Sequence, residues 1–366
     1  MIYVVIILLF ASLVILHELG HFWAARRGGV LVEEFGVGFP PLAWGKKIKG
    51  TLYSINWLPL GGFVRLKGED GTTKGKDSFL SAPIGTKSKI LLAGVGMNFL
   101  TAVVLLYGLA VTGMPGLGQF EPTFLHPAYA QPKQLVVVDV VKGSPAEQAG
   151  IRKGDLLLQA NDAKPATETE LANFTKAHAG QRVTLSVQTG QAMVRTLDVQ
   201  LRPAASAGGY LGVGAQPIYK LRYNPLSALV AAVWTTGALF VATIVGVVQL
   251  VVGIPALLIG LFQPTVPAAA EQASGPLGIV FIFQSVSTLG PAYVVLFLAN
   301  IAVALAAFNV LPLPALDGGR LALVWWQKLT GRVLTPELEA QIHGYGFLAL
   351  LGLMLVVTVY DIRKFF

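Results

Sequence analysis

The chain contains no cysteine, which excludes disulfide staples and thiolate metal ligands and leaves His and carboxylate as the only side chains able to hold a metal. Charge is also scarce. Only 13% of the 366 residues are charged and 54% are hydrophobic, whereas soluble domains carry about a quarter charged residues. Much of this surface must therefore face lipid. The net charge of +8 could point to nucleic acid, but its distribution along the chain gives a simpler reading.

Apolar segments fall at Ile2–Ala25, Ile90–Thr112, Leu226–Phe262, Pro291–Leu311 and His343–Tyr360, each long enough to cross about 30 Å of hydrocarbon as a helix. The first has no basic n-region and no small-residue cleavage site before His17, so it reads as a retained span rather than a signal peptide. The stretch between the first two gathers Arg26, Arg27, Lys46, Lys47, Lys87 and Lys89 with few acids. The positive-inside tendency places it in the cytoplasm. That accounts for much of the net charge, and no nucleic-acid partner is expected.

Residues 134–203 look soluble. Leu135–Val141 and Val183–Val187 are rich in β-branched residues and predict strands, Glu168–Ala177 has helical spacing, and Gly154-Asp155 and Asn161-Asp162 mark turns. This is a small α+β module on the far side of the membrane. Leu226–Phe262 is about twice the length of one span and breaks at Gly253-Ile254-Pro255. A single crossing there would reverse every later segment, so it is expected to cross twice or not at all, and a position in the interface or as a re-entrant hairpin is favoured.

The chemistry concentrates in His17-Glu18-Leu19-Gly20-His21. On a helix, i and i+4 share one face, so both imidazoles can reach one zinc ion with Glu18 beside it as base. Such a five-residue pattern also arises by chance in soluble helices. Here it lies in an apolar span, where an ionisable side chain costs roughly 3 kcal/mol at the bilayer centre, and metal coordination supplies the reason for bearing that cost.

Two His residues leave a catalytic zinc one protein ligand short. Asp317 is the other intramembrane candidate, in Asn309-Val310-Leu311-Pro312-Leu313-Pro314-Ala315-Leu316-Asp317-Gly318-Gly319. The prolines prevent a regular helix and the glycines permit a tight turn that could swing the carboxylate inward. Alone, Asp317 reads equally well as a turn residue facing water; beside the His pair, ligation is favoured.

At these motifs the sequence resembles the site-2 protease family of intramembrane zinc metalloproteases, of the bacterial RseP and RasP type, over nearly its whole length. The resemblance rests on 17–21, on Asn-x-x-Pro-x-Pro-x-Leu-Asp-Gly at 309–318, on Gly61-Gly62-Phe63-Val64-Arg65-Leu66, which matches a membrane-associated β-hairpin, and on Ser274-Gly275-Pro276-Leu277-Gly278-Ile279. It implies a polytopic α-helical membrane protein with four core spans. It also implies one Zn2+ held by His17, His21 and Asp317, Glu18 as catalytic base, and substrate backbone contacts from Asn309 and from the strand at Gly62, Phe63 and Val64. A helix-end hydrogen bond is an equal reading of Asn309. The family's second span often carries Gly-Pro-x-x-Asn-Phe; here Gly94-Val95-Gly96-Met97-Asn98-Phe99 keeps the Asn-Phe pair without the proline.

The soluble module resembles a PDZ domain at Gly143-Ser144-Pro145-Ala146-Glu147-Gln148-Ala149-Gly150-Ile151-Arg152-Lys153-Gly154-Asp155. The organisation expected is therefore a membrane part at 1–112, with spans at 2–25 and 90–112 and a cytoplasmic or re-entrant β region at 30–70. An extracytoplasmic PDZ domain follows at 127–215, then the interfacial segment 226–262, then a membrane part at 274–366 with spans at 291–311 and 343–360. The PDZ domain would either take a peptide as an added strand or serve as a size filter. His126 and His178 read as surface residues and His343 as interfacial.

The function expected is hydrolysis of peptide bonds in or near the membrane segments of single-span proteins or signal peptides. The setting is a bacterial cytoplasmic membrane, with the active site toward the cytoplasm. A metal-ion transporter would need further intramembrane ligands along a path, and the other apolar stretches offer almost none. A non-catalytic scaffold would leave Glu18 and the ligands idle.

Overall fold

A computed structural model describes residues 2–71, 73–130, 134–189, 193–206, 208–263, 267 and 274–365. The chain forms two compact units: Met1–Leu106 with Ala232–Gln284 and Phe297–Phe366, and Tyr107–Ala231 with Ser285–Leu296.

Helix α1 (Ile2–Arg27) carries no charge before Glu18. It ends where Arg26 and Arg27 meet the negative end of the helix dipole and where Gly29 takes a left-handed φ of 73°. Strands β1 (Val32–Ile48) and β2 (Thr51–Leu66) follow, joined by a tight turn at Lys49-Gly50 with φ of 49° and 89°. The long strands bend so that they supply more than two rows of pairing. Glu34–Val37 pairs on one side with Gly62–Arg65 and on the other with Leu52–Ile55, and Leu52–Ile55 pairs in turn with Trp44–Lys47. Residues 62–66 thus form one edge of this sheet. Toward the bend, Phe39, Leu42, Trp44, Trp57 and Leu58 are exposed, an apolar and aromatic tip suited to a membrane-associated hairpin. At the base, Phe22 of α1 meets Phe35 edge-on at 5.4 Å, and Ala25, Val32, Leu66 and Ile90 are buried beside them.

The remaining long helices are α2 (Ile84–Thr112), α5 (Pro225–Val252), α8 (Pro291–Val310) and α10 (Pro336–Phe365). Short α6 (Ile254–Gly260), α7 (Pro276–Thr288) and α9 (Asp317–Thr330) lie among them. Among the described residues five helices, the four expected as core spans and one more, are long and apolar enough to cross a membrane. The fifth is α5, continuous over 28 residues, where an interfacial or re-entrant segment was expected. The break expected at Gly253 is where α5 gives way to α6. Phe240 of α5 meets Phe99 of α2 edge-on at 5.9 Å, so this helix buries aromatic surface against another helix.

In the second unit, β5 (Gln134–Val140), β6 (Asp155–Ala160), β7 (Arg182–Thr189), β8 (Arg195–Gln200) and β9 (Val213–Ile218) form an antiparallel sheet in the order β8-β7-β6-β5-β9. Alternate residues Val183, Leu185 and Val187 of β7 point into its core with Leu135 and Leu157. The Gly143–Glu147 turn starts α3 (Pro145–Gln148) as a capping arrangement: Ser144 Oγ accepts from the Glu147 amide, and Glu147 reaches back to accept from the Gly143 amide. Helix α4 (Glu168–Ala177) is capped in the same manner by Thr167. A second small sheet orders β3 (Met114–Pro115), β10 (Lys220–Arg222) and β4 (Tyr129–Ala130).

Candidate metal centre

One helical turn apart on α1, His17 and His21 are both buried and bring their Nε2 atoms to 3.1 Å of each other. Asp317, the first residue of α9, places Oδ2 3.1 Å from His17 Nε2 and 3.2 Å from His21 Nε2. The three atoms converge on one point.

Hydrogen bonds on the outer ring nitrogens decide whether this is an ordinary polar cluster. His21 Nδ1 lies 2.8 Å from the Ile90 carbonyl, which can only accept, so its proton is on Nδ1 and Nε2 presents a lone pair. His17 Nδ1 lies 3.1 Å from the Asn98 amide nitrogen, while Asn98 Oδ1 is buried without a hydrogen-bond partner. Turning the amide over pairs that oxygen with a proton on His17 Nδ1. His17 Nε2 then also presents a lone pair. Asp317 Oδ2 is buried and likewise receives no well-formed hydrogen bond. With both imidazoles in that tautomer, three acceptors face each other and repel, and a cation removes the conflict. Zinc bonded at about 2.0–2.1 Å in a tetrahedral array would set its ligands roughly 3.3 Å apart, close to the spacing found. The residues fit such an ion, and His17, His21 and Asp317 could hold it.

Two glycines make room. Gly20 packs its backbone on α2, where a Cβ would stand 2.8 Å from the Ala93 carbonyl carbon. Gly94 lies directly beneath the imidazoles, where a Cβ would come within 2.7 Å of His17 Nε2. The centre is thus built at a backbone-to-backbone crossing of α1 and α2.

Asp317 arrives on a broken chain. Helix α8 stops at Val310, before Pro312 and Pro314. The loop then folds back so closely that a Cβ at Gly318 would meet the Val310 carbonyl carbon at 2.5 Å, and one at Gly319 the Leu313 carbonyl carbon at 2.6 Å. From α10, His343 Nδ1 accepts the Ala315 amide at 2.9 Å, and Gly346 leaves space for Pro314. Arg320, one turn beyond Asp317, pairs with Glu69, whose other oxygen accepts from the Leu66 amide at 3.1 Å. Asp317 is thereby tied to the end of β2.

That strand passes beside Glu18. A Cβ at Gly62 would lie 3.9 Å from Glu18 Cγ and 3.5 Å from Ile15 Cγ1. Gly61, at φ 94°, turns the strand against Val14. Gly62, Phe63 and Val64 form the sheet edge noted above. Asn309 Nδ2 donates to the Leu305 carbonyl at 3.0 Å, the helix-end bond that was one of its two readings.

The structure therefore brings His17, Glu18, His21, Asp317 and the strand at 62–64 into one place. Gly94, Asn98 and His343 also shape the centre and were not read as site residues from the sequence. Asn98 carried a usable signal, since a lone amide in an apolar span needs a partner. His343 carried little, lying seven residues into a helix whose first turn is polar.

Two buried imidazoles on one apolar helix, and a carboxylate delivered just beyond the end of another, fit the class of membrane metalloproteases. The profile of peptidase family M50 matches residues 5–353. The chain belongs to that family, the site-2 proteases, and is a multi-pass metalloprotease. It is 32% identical to a Nostoc sp. protein named "Putative zinc metalloprotease all3971", over 95% of this chain and 92% of that one. It is 28% identical to the zinc metalloprotease RasP of Geobacillus kaustophilus, over 98% and 97% of the two chains. To the regulator of sigma-W protease RasP of Bacillus subtilis it is 25% identical, over 98% of both.

Proposed function

We propose that this chain hydrolyses peptide bonds within or near the membrane segments of single-span proteins, with one zinc ion held by His17, His21 and Asp317. The observation that carries the reading is the convergence of His17 Nε2, His21 Nε2 and Asp317 Oδ2 beside Glu18 and a strand edge. Zinc, when bound, supplies Lewis-acid activation of water and of the scissile carbonyl. Glu18 takes the proton from the attacking water and returns it to the departing amine. A helical substrate hides its carbonyls in its own hydrogen bonds and must unwind before attack. Gly62, Phe63 and Val64 would hold the unwound stretch by main-chain bonds, and Asn309 would contact its backbone once released from Leu305.

The basic loop between α1 and α2 supports a bacterial cytoplasmic membrane with the catalytic end toward the cytoplasm. We read the five-stranded unit as an extracytoplasmic PDZ domain that captures a peptide or limits substrate size. The sigma-W regulator name of the Bacillus subtilis relative supports anti-sigma factors as clients, and remnant signal peptides fit the same chemistry. The test is cleavage of a single-span substrate in reconstituted vesicles. Glu18→Gln should retain metal and lose cleavage, and undiminished cleavage by that variant would sink the proposal.

A further inference from the structure

Beside the close approach of Gly20 to Ala93, α1 and α2 flank an open groove of about 490 Å³. Trp23, Ala24 and Arg27 line it from α1, and Thr86, Lys89 and Met97 from α2. The spacing places each set on one helix face. Gly20 and Ala93, where the two backbones touch, form its floor.

The groove has two chemically different ends. Arg27, Lys89 and the Thr86 hydroxyl stand at the helix termini, with the indole of exposed Trp23 nearby. Seven residues deeper into α1, about 10 Å along the axis, only Gly20, Ala93 and Met97 remain. No carboxylate lines the groove, and among the described residues neither Arg27 nor Lys89 has an ion-pair partner. Two free cations and a hydroxyl above a narrow apolar cleft match an anionic head with a hydrocarbon tail. The rim also lies where a bilayer puts its headgroups, at the end of a spanning helix marked by Trp and Arg.

We propose that this groove seats one anionic phospholipid from the leaflet at the Arg27 end of α1. Its phosphodiester lies between Arg27 and Lys89, and one acyl chain rests on Gly20 and Ala93. The inference is independent of what the protease cleaves. It also gives the lipid a place next to catalysis, because its seat is the reverse face of the crossing that carries His21 and Gly94.

The test uses the full-length protein in phosphatidylcholine vesicles with spin-labelled phosphatidylglycerol or phosphatidylcholine as probe, read as the motionally restricted fraction. Phosphatidylglycerol should be preferred. Each cation near an anionic headgroup contributes roughly a fivefold bias, so Arg27→Gln with Lys89→Gln should lower the preference on the order of twentyfold. Lys46→Gln with Lys47→Gln, a basic pair on the hairpin that does not line the groove, should leave most of the preference in place. Ala24→Leu, which fills the cleft and keeps both charges, should release the restricted lipid. Three results overturn the proposal: equal loss with either pair, undiminished restriction in Ala24→Leu, or displacement of the labelled lipid by millimolar inorganic phosphate, which would make it a site for the anion alone.

Discussion

Gly94 of α2 stands so close to His17 of α1 that a single methyl group on it would occupy the space the ligand nitrogens face. Alanine there improves helix propensity by about 1 kcal/mol yet obstructs the centre. Gly94→Ala is therefore expected to fold and to lose most of its bound metal and at least tenfold in activity. Metal content of the purified variant, with helicity by circular dichroism, checks both halves.

Chelation follows from the same geometry. Stripping the metal should abolish cleavage while the helical signal persists, because the helices are held by apolar packing. Zinc added back should restore the rate. Cleavage that survives thorough chelation would contradict a metal role for this cluster.

Asn98 and His343 act through the ligands. Outer hydrogen bonds of this kind typically change metal affinity 10–100-fold. Asn98→Ala removes the partner of His17 Nδ1, and His343→Phe removes the acceptor for the Ala315 amide beside Asp317. Both should weaken zinc retention in a competition with a chelator of known affinity. Asn98→Asp, which keeps an acceptor, should recover much of the loss.

Asp361 near the end of α10 accepts from the Gly275 and Gly278 amides at 3.2 and 2.8 Å, capping the first turn of α7 from another helix. A Cβ at Gly278 would lie 2.7 Å from Asp361 Oδ1. Asp361→Ala should cost about 3 kcal/mol through two lost charge-assisted bonds, and Gly278→Ala should destabilise as well, both read as lowered thermal midpoints.

Tyr219 of the second unit is pushed up to about 12 by burial and by its 2.6 Å bond to Glu121. A raised tyrosine favours the neutral phenol in the fold. Its contribution is full below about pH 10, the ordinary tyrosine value, and is lost as pH rises through 12. Difference absorbance between wild type and Tyr219→Phe should show a phenolate appearing about two units above free tyrosine.

Much of this was legible in the sequence because it is periodic or local. Helix α4 spans the residues its spacing predicts, β5 and β7 fall within a residue or two of the β-branched runs, and the His pair needs only the pitch of one helix. The position of Asp317 was signalled by prolines that end the helix before it and glycines that permit a tight turn. What stayed hidden depends on contacts between distant segments. The close crossing at Gly20 and Ala93 and the clasp of His343 on Ala315 have no sequence period. Neither has the docking of Asp361 on the Ser274–Ile279 motif. Helix α5 runs continuously up to the break read at Gly253, and length and hydropathy alone do not say whether such a helix crosses a membrane or lies along it.

The unspecified residues of the His-Glu-x-x-His pattern also have a practical meaning. Gly20 is one of them, and it is what lets α2 slide in until Gly94 hollows out the space between the imidazoles. A five-residue motif is in this protein half of a joint whose other half lies more than seventy residues away. Grafting those five residues onto a lone helix of another scaffold would transplant the ligands and leave the cup behind.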